Sequence, residues 1–134
     1  MFKDFILNEV EKIAVVVAGL AGFKVANKSD EFIKLADTTL QNEYGIKLQE
    51  LLDLNTDDFE LWLQKQNYHA DKLDVLAQLL YMHYEPFNTN PETLTALQKV
   101  IIIFDLLEKK HHRASFENIN KRNTIYQFLQ NNYE

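Results

Sequence analysis

The sequence predicts an all-α fold: one domain over residues 1–134, built from antiparallel helical hairpins stacked as about six or seven helices. Three observations predict it. Glycine and proline are scarce, represented only by Gly19, Gly22, Gly45, Pro86 and Pro91, whereas strand-rich folds need many tight turns that favour those residues. Apolar residues recur at spacings of three, four and seven nearly throughout, the period of a helix with one buried face. A length of 134 residues with 46% apolar and 25% charged content suits one globular domain whose core needs no disulfide or metal.

The first helix is expected from about Phe2 to about Val25, with Phe2, Phe5, Ile6, Ile13, Val16, Val17 and Leu20 on its stripe. Its centre, IAVVVAGLAGF at residues 13–23, carries no charge and no hydrogen-bonding side chain. A membrane span needs about 20 apolar residues, more than this run supplies. A secretion signal needs a basic leader, but Asp4, Glu9 and Glu11 precede the run along with Lys3 and Lys12. A helix packed on more than one side remains. Gly19 and Gly22 each cost a helix roughly 1 kcal/mol relative to alanine. A packing role is therefore expected, in which Ala14, Ala18, Gly19, Ala21 and Gly22 form a small-residue surface that a neighbouring backbone approaches closely. On that reading Gly19→Leu overpacks the contact and costs roughly 1–3 kcal/mol. The alternative is a helix end near Gly22, with Phe23 in a connector.

A second helix follows Lys28-Ser29-Asp30-Glu31, with Ser29 or Asp30 as its cap and the acids at its positive end. Its stripe is Phe32, Ile33, Leu35, Ala36, Thr39, Leu40 and Tyr44, and Gly45 is placed to stop it with positive φ. A connector this short implies an antiparallel hairpin over about 2–44. Residues 46–67 read as short pieces. Ile46, Leu48, Leu51, Leu52 and Leu54 make an apolar turn or short helix, and Asn55-Thr56-Asp57-Asp58 is a cap signal before Phe59, Leu61, Trp62 and Leu63. From about His69 to Tyr84 a longer helix carries Leu73, Val75, Leu76, Ala77, Leu79, Leu80 and Tyr84.

Glu85-Pro86 breaks the pattern, because a residue before proline avoids helix. Asn90 then reads as an N-cap with Pro91 at the first helical position. The next helix runs to about Lys110 on Leu94, Leu97, Ile101, Phe104 and Leu107, widened by Val100, Ile103 and Leu106. VIIIFDLL at 100–107 read alone could be a buried strand, but the helical period continues from residue 92. Ser115 caps the last helix, whose inner face is expected to be Phe116, Ile119, Tyr126, Leu129 and Tyr133. The closing hairpin is thus about 91–132, with intervening helices at about 46–85.

This order resembles the tetratricopeptide superfamily: a long helix, a short connector, a second helix, and a similar pair later. More narrowly it resembles a small uncharacterised bacterial family of tetratricopeptide-like helical-hairpin proteins. The segments that carry the resemblance are DFILNEVEKIAVVVAGL, LQELLDL, and the pair LTALQKVIIIFDLL and SFENINKRNTIYQFL. They span most of the chain and match in apolar spacing. The 34-residue repeat signature with its fixed Trp, Gly, Tyr, Ala and Pro positions is absent. The resemblance implies a helical fold and a habit of binding peptides or proteins, with no ligand and no catalytic residue to carry over.

The residues themselves carry little chemistry. Without cysteine there is no disulfide, thiol catalysis or cysteine-bound zinc, and a cytoplasmic location is expected. Ser29 and Ser115 are the only serines and both read as caps. No phosphate loop, G-x-S-x-G or H-E-x-x-H is present. Glu108-x-x-His111 has the spacing of a carboxylate-bridged metal site, but such sites need two copies and two further glutamates. Cations at the negative end of a helix explain that segment as well.

Two groups of residues are candidate binding sites. Trp62, Tyr68, Tyr81, Tyr84 and Phe87, near His69 and His83, form an aromatic group suited to an interface or to packing the joint between hairpins. Lys109, Lys110, Arg113, Lys121 and Arg122 form a basic segment, 109–122, that suits an anion or an acidic partner. Nucleic acid is disfavoured, since the net charge is -6 and no aromatics interleave KKHHR. The expected function is non-enzymatic binding of a protein or peptide, by a groove between hairpins or by homodimerisation through an exposed apolar helix face. A small-molecule or metal-binding bundle, enzymatic or not, is the alternative; anion or nucleic-acid binding through 109–122 is the third. No cofactor, metal or membrane is expected.

Overall fold

The computed structural model describes the backbone of residues 2–133 and the side chains of residues 9–132. The expected inward positions of Phe2, Phe5, Ile6 and Tyr133 lie outside the described side chains. Among the described residues there are seven α-helices and no strand: α1 Phe2–Val25, α2 Ser29–Tyr44, α3 Leu48–Asp53, α4 Thr56–Gln66, α5 Ala70–Tyr84, α6 Pro91–His111 and α7 Phe116–Tyr133. The all-helical expectation holds. The 100–107 run is helix, as the period requires. The chain divides into two compact units, residues 1–53 and 54–134.

In the first unit α1 and α2 pack as an antiparallel hairpin. Lys12 Nζ meets Glu43 Oε1 at 2.6 Å, Gly19 faces Leu35, and the Lys24 ammonium sits 5.3 Å from the centre of the Phe32 ring. The residue numbers rise on one helix as they fall on the other. The core is Ile13 and Leu20 from α1, Phe32, Ala36, Leu40 and Tyr44 from α2, and Leu51 and Leu52 from α3. Val16 and Val17 are half-buried, while Ile33 is exposed.

Helix ends explain the connectors. α1 continues past Gly22 and stops at Asn27, whose φ is 60°. There the Lys28 N–H donates to Phe23 O at 2.8 Å and the Asn27 N–H to Lys24 O at 3.2 Å, the paired bonds of a Schellman stop. Gly45 ends α2 with φ 64°, as expected, and its N–H donates to Gln41 O. The capping expectation for α2 is corrected. Lys28 occupies the N-cap position with no side-chain hydrogen bond, and Ser29 and Asp30 lie inside the first turn. Asp30 and Glu31 there act on the helix dipole instead. Asn55 and Ser115 do cap, accepting from the Asp58 N–H at 2.8 Å and the Asn118 N–H at 3.0 Å. Asn90 holds the N-cap position of α6 without a side-chain cap bond. Asn88 Oδ1 orders that turn, accepting from the Asn90 N–H and from the Thr93 hydroxyl.

The small-residue surface of α1 is also corrected. Ala14, Ala18, Ala21 and Gly22 are exposed. A Cβ at Gly22 would meet nothing within 4 Å, and one at Gly19 would meet the Leu35 side chain, Cδ2, at 3.2 Å. Gly19 thus accommodates a leucine tip, with no backbone pressed against it. Gly22→Ala is therefore expected to stabilise the protein by roughly 0.5–1 kcal/mol through lower unfolded-chain entropy and better helix propensity. Gly19→Leu, which crowds Leu35, should cost roughly 1–3 kcal/mol. Thermal melts of the two variants should move in opposite directions.

In the second unit α6 touches α4, α5 and α7. The most extensive packing is between α5 and α6, so the main hairpin here is α5–α6 around the Glu85–Asn90 turn, with α6–α7 the looser pair. The reason is apolar content. α5 buries Leu73, Val75, Leu76, Ala77, Leu79 and Leu80, and α6 buries Ala96, Leu97, Val100, Ile103, Phe104 and Leu107. Among its described residues α7 buries one apolar side chain completely, Ile125, and one polar side chain, Asn118.

The face of α7 differs from the expected one. Phe116, Ile119 and Tyr126 are exposed, at 87%, 39% and 47%, and Leu129 is half-buried. The packed line runs through Asn118, Lys121, Arg122, Ile125 and Phe128. Both lines have helical spacing; the one rich in polar residues turns inward because α5 and α6 offer it polar partners.

Candidate functional site

Four helices of the second unit create the surfaces that matter. Lys99, buried at 2% exposure, donates Nζ to Leu54 O at 2.7 Å and lies 5.5 Å from the centre of the Phe59 ring. Lys110 Nζ meets Asn67 Oδ1 at 3.0 Å. Residues 54 and 99 pair at one end and 67 and 110 at the other, so α4 and α6 run parallel. Between them lies an open groove of about 240 Å³, lined by Glu60, Leu63 and Gln64 of α4 and Ile102, Asp105, Leu106 and Lys109 of α6. Leu63, Ile102 and Leu106 make its apolar floor. Leu63 is buried, whereas Ile102 and Leu106 remain half-exposed.

α7 is held by a polar network. Gln78 Nε2 donates to Asp74 Oδ1 at 3.1 Å and to Asn118 Oδ1 at 2.9 Å. Asn118 Nδ2 donates to Asp74 Oδ1 at 2.9 Å, and Lys121 Nζ donates to Gln78 Oε1 at 2.6 Å while lying 5.5 Å from the centre of the Tyr81 ring. Arg122 bridges α7 to α6, with Nη1 on Glu108 Oε2 and Nη2 on Asp105 Oδ1, both at 3.0 Å. The inward groups of Gln78, Asp74, Asn118 and Lys121 and the two terminal nitrogens of Arg122 find partners, which is the condition for burying them without a large penalty; the buried Arg122 Nε has none.

The expected basic segment is therefore spread over several roles. Lys121 and Arg122 belong to the network, Arg113 meets Asp71 at 2.7 Å, Lys110 meets Asn67, and Lys109 lines the α4–α6 groove. The aromatic group divides in two. Trp62 stacks on Phe59 with ring centres 6.0 Å apart and meets Tyr68 edge-on at 6.0 Å. Tyr81 meets Phe87 edge-on at 5.1 Å, and Phe87 in turn meets Phe128 of α7 at 5.5 Å. Tyr84 is buried beside His83, ring centres 4.9 Å apart. Burial, reinforced by the Glu92 carboxylate, pushes its phenol above the ordinary range. Burial likewise raises Tyr68, and raises Tyr81 with help from Glu85.

Glu108, half of the Glu-x-x-His spacing, is an Arg122 ion-pair partner. Among the described residues no group of three or more His, Asp or Glu is placed to hold a metal ion, and no helix is long and apolar enough to cross a membrane. His111 is held below its ordinary pKa of 6.5 by burial first, then by Lys110, Arg113, His69 and His112. A histidine with a lowered folded-state pKa takes up its proton more readily when unfolded. Its penalty is absent above about pH 6.5 and grows as pH falls below that value. His111→Gln should flatten the fall of the urea midpoint between about pH 7 and pH 5; an unchanged slope would assign that fall to other groups.

The groove residues Ile102, Leu106 and Glu60 were not singled out as a site from the sequence. Their only signal is that α6 carries apolar residues around more than one face. Comparison of this chain with family models, with curated proteins and with solved structures finds no match.

Proposed function

We propose that the chain is a non-enzymatic module that binds a protein or peptide in the groove between α4 and α6. The observation that carries this reading is the apolar floor of Leu63, Ile102 and Leu106 framed by Glu60, Gln64, Asp105 and Lys109. An apolar strip with a polar rim is how helical grooves take peptides. The groove, at about 240 Å³, is smaller than the roughly 300–1,000 Å³ of small-molecule sites. The network of α5, α6 and α7 engages Asp74, Asp105, Glu108, Lys121 and Arg122 in structural bonds. The resemblance to tetratricopeptide-like hairpin proteins points the same way. The test is affinity capture from the source cell with wild-type protein and Leu106→Glu, the folded state of each checked by circular dichroism. Proteins held by the wild type and released by the variant support the groove. An identical set on both baits overturns it.

Self-association is a second reading, favoured by the apolar line Phe116, Ile119 and Tyr126 on the outer face of α7. Sedimentation should then show a dimer that Phe116→Ser dissociates. Anion binding through 109–122 has less in its favour, since Arg113 and Arg122 already face carboxylates.

A further inference from the structure

The proposed groove has a direction. α4 and α6 lie parallel, with Leu54 beside Lys99 at their amino-terminal side and Asn67 beside Lys110 at their carboxy-terminal side. Both helix dipoles thus point the same way along the groove. Its rim charges are ordered too. Glu60 lies towards the amino-terminal end, Lys109 at the carboxy-terminal end, and Asp105 between them is engaged by Arg122.

The floor sets the shape of the occupant. From Ile102 to Lys109 is about 10 Å at 1.5 Å per helical residue, two turns of a partner helix. Helix walls have already used their backbone N–H and C=O groups internally, so they offer none to an extended strand. Proline-rich segments dock on aromatic-lined grooves, and among the described residues no aromatic ring lines this one.

We propose, resting on the groove reading above, that the occupant is an amphipathic helix running antiparallel to α4 and α6, acidic in its first turn and basic in its last. Three effects favour that direction together. The occupant's dipole opposes those of both walls. Its first-turn acid suits its own positive end and also meets Lys109. Its last-turn base suits its negative end and meets Glu60. The reverse direction brings three helix carboxy-termini together and asks for acids and bases at the wrong ends of the occupant. Each exposed term is small, so the preference expected is roughly three- to tenfold in affinity.

The test is selection on the full chain from a displayed library of single-helix peptides, randomised in charge at both ends and in apolar side chains at positions i, i+3, i+4 and i+7. Enriched peptides are then measured by fluorescence polarisation against wild type, Leu106→Glu and the double variant Glu60→Lys/Lys109→Glu. Acid-first peptides should dominate, should lose roughly tenfold or more on Leu106→Glu, and should give way to base-first peptides on the double variant. Enriched peptides that are base-first or indifferent to end charge, yet lost on Leu106→Glu, overturn the direction and leave the groove standing. Peptides indifferent to Leu106→Glu, or a selection that enriches nothing, overturn the groove and the direction with it.

Discussion

Phe104→Ala is expected to destabilise the protein by about 3–5 kcal/mol, the usual cost of emptying a buried phenylalanine site. Phe104 is 2% exposed, near the middle of α6. Val100 and Leu107, one turn to either side on the same helix, are buried with it. A cavity there has little means of collapsing, because α6 is held on three sides by α4, α5 and α7. The loss is a large share of the roughly 5–15 kcal/mol that holds a domain together. Urea unfolding should show a lower midpoint with an unchanged slope. A cost under about 1.5 kcal/mol would mean that the neighbours close over the space. Because α6 also forms one wall of the α4–α6 groove, the peptide binding proposed for it should weaken along with stability.

The second large effect separates two readings of α7. Ile125→Ala should cost about 2–4 kcal/mol, since Ile125 is fully buried. Tyr126→Ala, one residue on, should stay within about 0.5 kcal/mol, since its side chain is 47% exposed. The apolar pattern of the sequence puts Tyr126 inward, so the opposite ranking would restore that face and remove the polar network from its place. Protein concentration should be kept low, so that self-association does not mask the comparison.

Much of the fold was legible because it is local. The span of α1, the break at Pro86, the Asn55 and Ser115 caps and the stop at Gly45 each depend on a few adjacent residues, and each is found. The apolar interior of α5 was equally plain, since Leu73, Val75, Leu76, Ala77, Leu79 and Leu80 crowd most of its length, although its buried Gln78 was not. The candidate site was much less legible. The aromatic residues form two separate clusters, and the basic residues have dispersed partners, because helical spacing says nothing about which residue stands opposite. Lys99 illustrates the difficulty. No pattern in the sequence marks it, and it is buried on the Leu54 carbonyl and the Phe59 ring.

Alone, the sequence determined a helical chain, its breaks, and the absence of thiol chemistry. Those depend on backbone preference, periodicity and composition. Only the tertiary structure decided which face of α7 turns inward, what Gly19 accommodates, and that parallel α4 and α6 leave an apolar strip open between them. A polar side chain goes inside only where partners from distant helices meet it, and that meeting is a property of packing.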